Sequence, residues 1–285
     1  MPKRPLENHL FILPDGNAAA DAGNSRSRPI LRQCDKVLRP FWEAVETASL
    51  ESGSLGGFVA DTGAYELHRF TLRGEADGNA TVRLGIFATI HGDEPQGAKA
   101  LVALAKLARQ SPEIFRGYEL QLYPLCNPTG YEDGTRHSRR GEDLNRQFWR
   151  NSQEPEVALL EREIMTRRFH GIIALHADDT SDGLYGFVRG ATLSRELLSP
   201  ALAAASRHLP VNRAPVIDGF RAKDGIIVEG YDGILSAGQM EPRPFEIVFE
   251  TPAAAKEELQ VCATVSALTT ILKRYRAMLA VANDI

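Results

Sequence analysis

The chain has 285 residues, 43% of them hydrophobic and 25% charged, the make-up of an ordinary globular protein with one large domain or two small ones. A net charge of −4 gives no general electrostatic reason to bind nucleic acid or anionic lipid, and no run approaches the roughly 20 apolar residues of a membrane span. The three cysteines, Cys34, Cys126 and Cys262, are odd in number and far apart, so neither a disulfide framework nor a Cys-type zinc motif is readable.

Residues 1–30 are rich in Pro, Asn, Ser and Gly and are expected to form an irregular leader. They lack the apolar core of about 7–15 residues that a secretory signal needs, so cytoplasmic residence is the expectation. Residues 31–285 read as one domain. "DKVLRPFWEAVETASLE" has helical spacing at Val37, Leu38, Trp42, Val45 and Leu50, with Pro40 expected to interrupt its start. "YELHRFTLRG" alternates as a strand does, "GEADG" is a turn, and "TVRLGIFATI" is a further strand. That strand runs into "HGDEPQGAKALVALAKLA", a helix with Pro95 near its first turn, where a missing N–H costs little. "YELQLYPLCN" and "GIIALHA" read as strands on either side of the helix "EPEVALLEREIMTRRF". Residues 178–238 read as a long irregular region with candidate strands. "FEIVFET" is the last clear strand, and a long amphipathic helix follows it. This alternation of strands and helices predicts an α/β/α sandwich around a mixed, mostly parallel sheet.

Against that frame some residues ask for chemistry. His91 and Glu94 lie three apart where a strand hands over to a helix, on the side where open α/β sheets bind ligands. Imidazole and carboxylate suit Zn²⁺, which also needs a third ligand and an open position for catalysis. His176 ends an apolar strand and is the candidate third ligand. Taken singly, His176 reads more readily as a satisfied polar residue than as a ligand, and Glu94 as an acid favoured by a helix N-terminus. The surrounding pieces change the balance: Asn127-Pro128, Arg136, "DLNR" from Asp143 to Arg146, and Glu250 at the end of the last apolar strand.

In this order and spacing, H-x-x-E, N-P-x-G, T-R, D-L-N-R-x-F, a strand-end His and a strand-end Glu, the sequence resembles the zinc carboxypeptidase superfamily, including its aspartoacylase and succinylglutamate desuccinylase branch. The resemblance runs from His91 to Glu250. It implies one zinc per chain held by His91, Glu94 and His176, Glu250 as general base, and Arg136 as oxyanion stabiliser. It also implies Asn145 and Arg146 as the grip on a substrate carboxylate, Asp143 as the acid behind the first His, and a capping tyrosine. Tyr231 is preferred for that cap over Tyr185. Arg139, Arg140 and Arg150 read as surface charges without a role. Asp178 and Asp179, close behind His176, read as acids supporting a ligand or at the lip of the site. The general chemistry agrees: a metal polarises a carbonyl, a carboxylate moves a proton, and Arg pairs with carboxylates through two parallel hydrogen bonds.

Two versions of one activity follow. A metallocarboxypeptidase would remove a C-terminal residue from a peptide, and an N-acyl amino acid deacylase would release an amino acid from a conjugate. Only 35 residues follow Glu250, mostly helical in pattern, which favours the carboxypeptidase arrangement. A non-catalytic protein that binds a carboxylate ligand is the reading from a different class. The expected partner is a small molecule or peptide with a free carboxylate.

Overall fold

The structure, a computed structural model, describes residues 11–12, 34–47, 49–60, 63–228 and 231–283. Of the expected leader it therefore covers only the short strand β1 (Phe11–Ile12), which pairs in parallel with the next strand. The rest of the leader lies outside the described residues.

Helix α1 (Cys34–Glu46) runs through Pro40 rather than being interrupted by it. Losing one early backbone bond is offset because the face bearing Val37, Leu38 and Phe41 is buried. A long antiparallel pair follows, β2 (Glu51–Ala60) and β3 (Gly63–Arg73), with a bulge between Ser54 and Gly56. The spacing of "ESGSLGGFVA" does not announce β2, because Gly and Ser dilute its apolar alternation and the bulge breaks it.

The centre of the molecule is built from β4 (Val82–Ala88), α2 (Gln96–Gln110), β5 (Tyr118–Tyr123), the short α3 (Pro128–Asp133), α4 (Pro155–Arg167) and β6 (Gly171–Asp178). Then come β7 (Tyr185–Val188), a helical stretch α5 (Ala191–Leu193) continuing through a π-turn into α6 (Ser199–Ala205), and the small strands β8 (Val216–Ile217), β9 (Phe220–Arg221) and β10 (Ile226–Ile227). The expected irregular region thus contains helix as well as strand. The chain ends with β11 (Phe245–Pro252) and the long α7 (Glu257–Asn283).

The main sheet has the order β1-β2-β3-β5-β4-β6-β11-β7-β10. Its central strands β5, β4, β6 and β11 are parallel neighbours, while β3 and β7 join them antiparallel. Successive residues of these strands are buried on opposite faces, as period-two geometry requires. Ile86, Leu122 and Ile173 pack towards α1, α2, α6 and α7, whereas Phe87, Tyr123 and Ile172 pack towards α4. Phe87 and Tyr123 stack across neighbouring strands at 4.3 Å. Helices on both faces of a mixed sheet give the expected sandwich. Beyond α4 the same face carries Ala174, Val248 and Phe187, covered by the β8–β9 hairpin and the segment around Tyr231 instead of a helix.

The register decides where chemistry can gather. Ala88 of β4 pairs with Leu175 of β6, and His176 pairs with Glu250 of β11. The C-terminal ends of three adjacent parallel strands therefore lie side by side. The three cysteines are free, and among the described residues no helix is long and apolar enough to cross a membrane.

Candidate metal centre

Thr89 turns the chain out of β4 with φ +54°, a left-handed conformation that a β-branched residue rarely adopts. The loop after β5 braces it: Asn127 N donates to Thr89 O at 2.9 Å, and Asn127 Nδ2 donates to Ile90 O at 3.2 Å. Asn127 Oδ1 also accepts from Gly130 N, capping α3. Gly92 and Gly130 meet so closely that a Cβ on Gly92 would fall 1.9 Å from Gly130 C. Backbone contact of this kind, together with the Asn127 side chain, fixes the His91 loop.

His91, Glu94 and His176 come together as the sequence predicts, all three buried. His91 Nδ1 lies 2.6 Å from Glu94 Oε1, His176 Nδ1 lies 3.0 Å from Glu94 Oε2, and the two Nδ1 atoms are 3.2 Å apart. With both Nδ1 atoms unprotonated, three lone-pair donors face one another, an arrangement that calls for a proton or a metal cation among them. Metal bonds of about 2.0–2.1 Å in a tetrahedral site place ligand atoms about 3.3–3.4 Å apart, close to the separations that involve His176. Ala177 N donates to Glu94 Oε2 at 2.9 Å and holds the carboxylate in place. The residues fit a zinc ion.

Asp143 stands behind His91, with Oδ1 3.3 Å from Nε2. That contact favours a proton on Nε2 and leaves Nδ1 bare for a cation. Burial alone would raise the Asp143 carboxyl, but His91, Arg136 and Arg146 hold it well below the usual range. Its Oδ2 also accepts from Arg136 Nε at 3.1 Å, and Oδ1 accepts from Asn145 N at 2.9 Å. Arg136 lies 3.6 Å from Glu94 Oε1 and is part-exposed, reaching over the cluster towards a cavity of about 470 Å³.

Glu250 enters that cavity from β11. It is 9% exposed and has no hydrogen-bond or ion-pair partner among the described residues. Burial, helped by the negative charges of Glu94, Asp178 and Asp218, pushes its carboxyl up to about 8 against the pull of His176. Cationic charge at the cluster works in the opposite direction.

The predicted carboxylate grip is divided. Arg146 lines the cavity and is exposed, with no carboxylate within ion-pair distance among the described residues. Asn145 also lines it, but its Oδ1 accepts from Ile234 N at 3.2 Å. Gly233 has no side chain to obstruct this approach, since a Cβ there would sit 2.6 Å from Asn145 Oδ1. The segment 231–236 is fastened further by Trp149 Nε1 donating to Leu235 O and by Ser236 N and Oγ donating to the buried Glu246. Tyr231 lines the cavity with its hydroxyl donating to Glu246 O at 3.3 Å; Tyr185 also lines it, donating to Asp178 Oδ2 at 2.9 Å.

Arg139, read as a surface charge, is half-buried and ties Asp133 to Tyr65. Arg140 and Arg150 are exposed, as expected, Arg150 pairing with Asp232 at 3.2 Å on the surface. Sequence reasoning missed Asp218, which lines the cavity from the tip of the β8–β9 hairpin. Asp218-Gly219 has positive φ at both positions, the Asp-Gly type I′ turn whose signature was present between "VI" and "FR".

Residues 80–210 match the family model of the succinylglutamate desuccinylase/aspartoacylase catalytic domain, a span that includes the three candidate ligands but not Tyr231 or Glu250. Among solved structures, one similar protein comes from Shewanella denitrificans OS217 and is provisionally described as a metallopeptidase. It is 21% identical with a TM-score of 0.69, covering 84% of this chain and 88% of that one. The chain is similar to that catalytic domain over the matched span, and its fold is carboxypeptidase-like. Two further solved structures share the fold: a metallo-carboxypeptidase from Burkholderia cenocepacia (14% identity, TM-score 0.65, covering 87% of this chain and 70% of that one) and carboxypeptidase A from Helicoverpa armigera (14%, 0.65, covering 89% and 75%). No curated protein sequence matches the chain.

Proposed function

We propose that this protein is a zinc-dependent hydrolase that cleaves an amide bond next to a free carboxylate, in the manner of a metallocarboxypeptidase. One observation carries the reading: three convergent buried ligand atoms beside an unpartnered buried carboxylate, Glu250, in a cavity edged by Arg136 and Arg146. His91, Glu94 and His176 would hold the metal, which supplies Lewis acidity when bound. Arg146 would take the substrate carboxylate, and the free Nδ2 of Asn145 would donate to it. Glu250 would accept a proton from the attacking water at its carboxylate and return it to the leaving nitrogen. The Arg136 guanidinium would offset negative charge growing on the carbonyl oxygen, while Asp143 keeps His91 oriented.

The match to the desuccinylase/aspartoacylase model favours a second reading, release of an amino acid from an N-acyl conjugate by the same groups. Purified protein is expected to contain about one zinc per chain, and His176→Ala is expected to lose most of it. Free-acid peptides and N-acyl amino acids would then be compared with their carboxamides. Hydrolysis of one free-acid panel over its amides identifies the version; full zinc retention in His176→Ala, or indifference to the carboxylate, would defeat the proposal.

A further inference from the structure

Residues 134–143 form the loop that carries Arg136 to the metal-ligand cluster, and a second arginine of that loop is built into the fold more deeply than a surface charge requires. The Arg139 side chain is 12% exposed, against 40% for Arg136. Its guanidinium forks onto one carboxylate, Nε donating to Asp133 Oδ2 at 2.9 Å and Nη2 to Asp133 Oδ1 at 2.7 Å. Nη1 donates to Tyr65 Oη at 2.6 Å, and Nη2 reaches Glu132 Oε2 at 3.4 Å. Tyr65 Oη in turn donates to Glu132 Oε2 at 2.6 Å, which closes a ring of contacts between α3 and β3. A bidentate, charge-assisted pair held mostly out of water is a strong polar contact, and only arginine has the planar fork for it.

The main chain shows what this clamp secures. Thr135 N donates to Gly130 O at 2.9 Å, and Arg139 N donates to Thr129 Oγ1 at 3.2 Å. Both acceptors belong to α3, so Arg136 lies on a span tied to that helix at each end. Between those ties the Arg136 carbonyl accepts from Asn127 Nδ2 at a long 3.5 Å. Beyond Arg139 the loop runs out through exposed Arg140, Gly141 and Glu142 before returning at Asp143. The Arg136 guanidinium meets Asp143 at 3.1 Å and lies 3.6 Å from Glu94. The reach of such a part-exposed side chain depends on where its backbone stands, and Arg139 fixes that backbone through main chain and side chain alike. Arg139 is not among the described residues that line the cavity, so any effect it has on chemistry there passes through the loop.

We propose that Arg139 is a positioning residue for the site: its clamp on Asp133 and Tyr65 holds the loop where Arg136 reaches over the ligand cluster to meet charge growing on a substrate carbonyl oxygen. This rests on the hydrolase reading, in which Arg136 and not Arg139 touches the substrate.

A double-mutant cycle separates positioning from general stabilisation. Benzoylglycyl-L-phenylalanine and N-benzoyl-L-phenylalanine, one probe for each version of the activity, are followed on zinc-loaded wild type, Arg139→Gln, Arg136→Ala and the double variant. Arg139→Gln is expected to lower kcat by on the order of 10–100-fold, the scale of a small misplacement at a reacting centre, with KM within about twofold. In the Arg136→Ala background the same change should cost nothing further, because no guanidinium is left to misplace. Asp133→Asn weakens the clamp from its other side while keeping shape, and should repeat both results even where Arg139→Gln folds poorly. Undiminished kcat in both clamp variants, or an equal loss with and without Arg136, would overturn the proposal. Hydrogen exchange at the Thr135 and Ser138 amides, both hydrogen-bonded, gives a readout free of turnover. It should quicken by on the order of tenfold in Arg139→Gln, the scale of losing charge-assisted hydrogen bonds, while amides of β6 change only with global stability. If the wild type cleaves neither probe, this quickening still supports the clamp, and the failure falls on the hydrolase reading alone. Wild-type exchange at both amides overturns the clamp whatever the turnover.

Discussion

Asn145 is asked to do two things with one amide, and the two can be separated. Asn145→Ala removes the acceptor for Ile234 N, a buried contact at 3.2 Å that ties the cavity-lining segment 231–236 to the turn after Asp143. A buried N–H left without a partner costs about 1–3 kcal/mol. With a urea dependence of about 3 kcal/mol per molar, the unfolding midpoint should fall by roughly 0.3–1 M. Loss should also be local: hydrogen exchange at Ile234 should accelerate, whereas amides in β6 should slow or quicken only with global stability. Asn145→Asp keeps an oxygen at the acceptor position and deletes the Nδ2 donor. Its Ile234 amide should stay protected while affinity for a carboxylate ligand falls. Native-state exchange followed by mass spectrometry reads both variants. If Ile234 exchanges at the wild-type rate in Asn145→Ala, the side chain does not hold the segment and the division of labour is wrong.

Glu250→Gln preserves shape and removes the proton acceptor; turnover should fall by roughly 10²–10⁴ with metal content unchanged, and wild-type turnover would exclude Glu250 from the chemistry. Glu156, 2% exposed with Oε2 lacking a partner, has its carboxyl raised by burial from 4.5 to about 7. The folded state therefore binds the more protons between those values, so stability should decline as pH rises from about 4.5 to 7, by up to about 3 kcal/mol. Glu156→Gln should flatten that part of the pH–stability curve in urea melts, and an unchanged slope would refute the assignment.

The parts of the site that were legible in the sequence share a physical reason. His176 and Glu250 each end an apolar run, and apolar runs of that length are buried strands. Once β4, β6 and β11 are adjacent and parallel, their last residues must be neighbours, so a polar side chain at each end leaves a trace in one dimension of a cluster in three. His91 and Glu94 are near in sequence as well, and only the tight backbone contact between Gly92 and Gly130 was hidden. Strand β2 was not legible because its glycines and serines mask its alternation, and the helical stretch 191–205 was lost inside a region read as irregular.

Loop residues obey a different rule, and Asp218 and Asn145 illustrate it. The Asp-Gly pair is readable as a hairpin turn, but nothing in that pattern says which surface the hairpin covers. Its place over the cavity follows from tertiary facts: β7 pairs antiparallel with β11, β10 adds to β7, and buried Ile217 anchors the hairpin against Phe187 and Val248. The bond from Ile234 to Asn145 spans 89 residues and forms only after both segments are in place. In the proposed hydrolase the groups that would activate water sit at strand ends, which the sheet positions rigidly, whereas the cavity wall is formed by segments pinned to it through single side chains. Changes at Asp218, Tyr231 or Asn145 can then alter what the cavity holds without moving His91, Glu94, His176 or Glu250, since those four depend on the register of β6 and β11 and on the braced turn after β4.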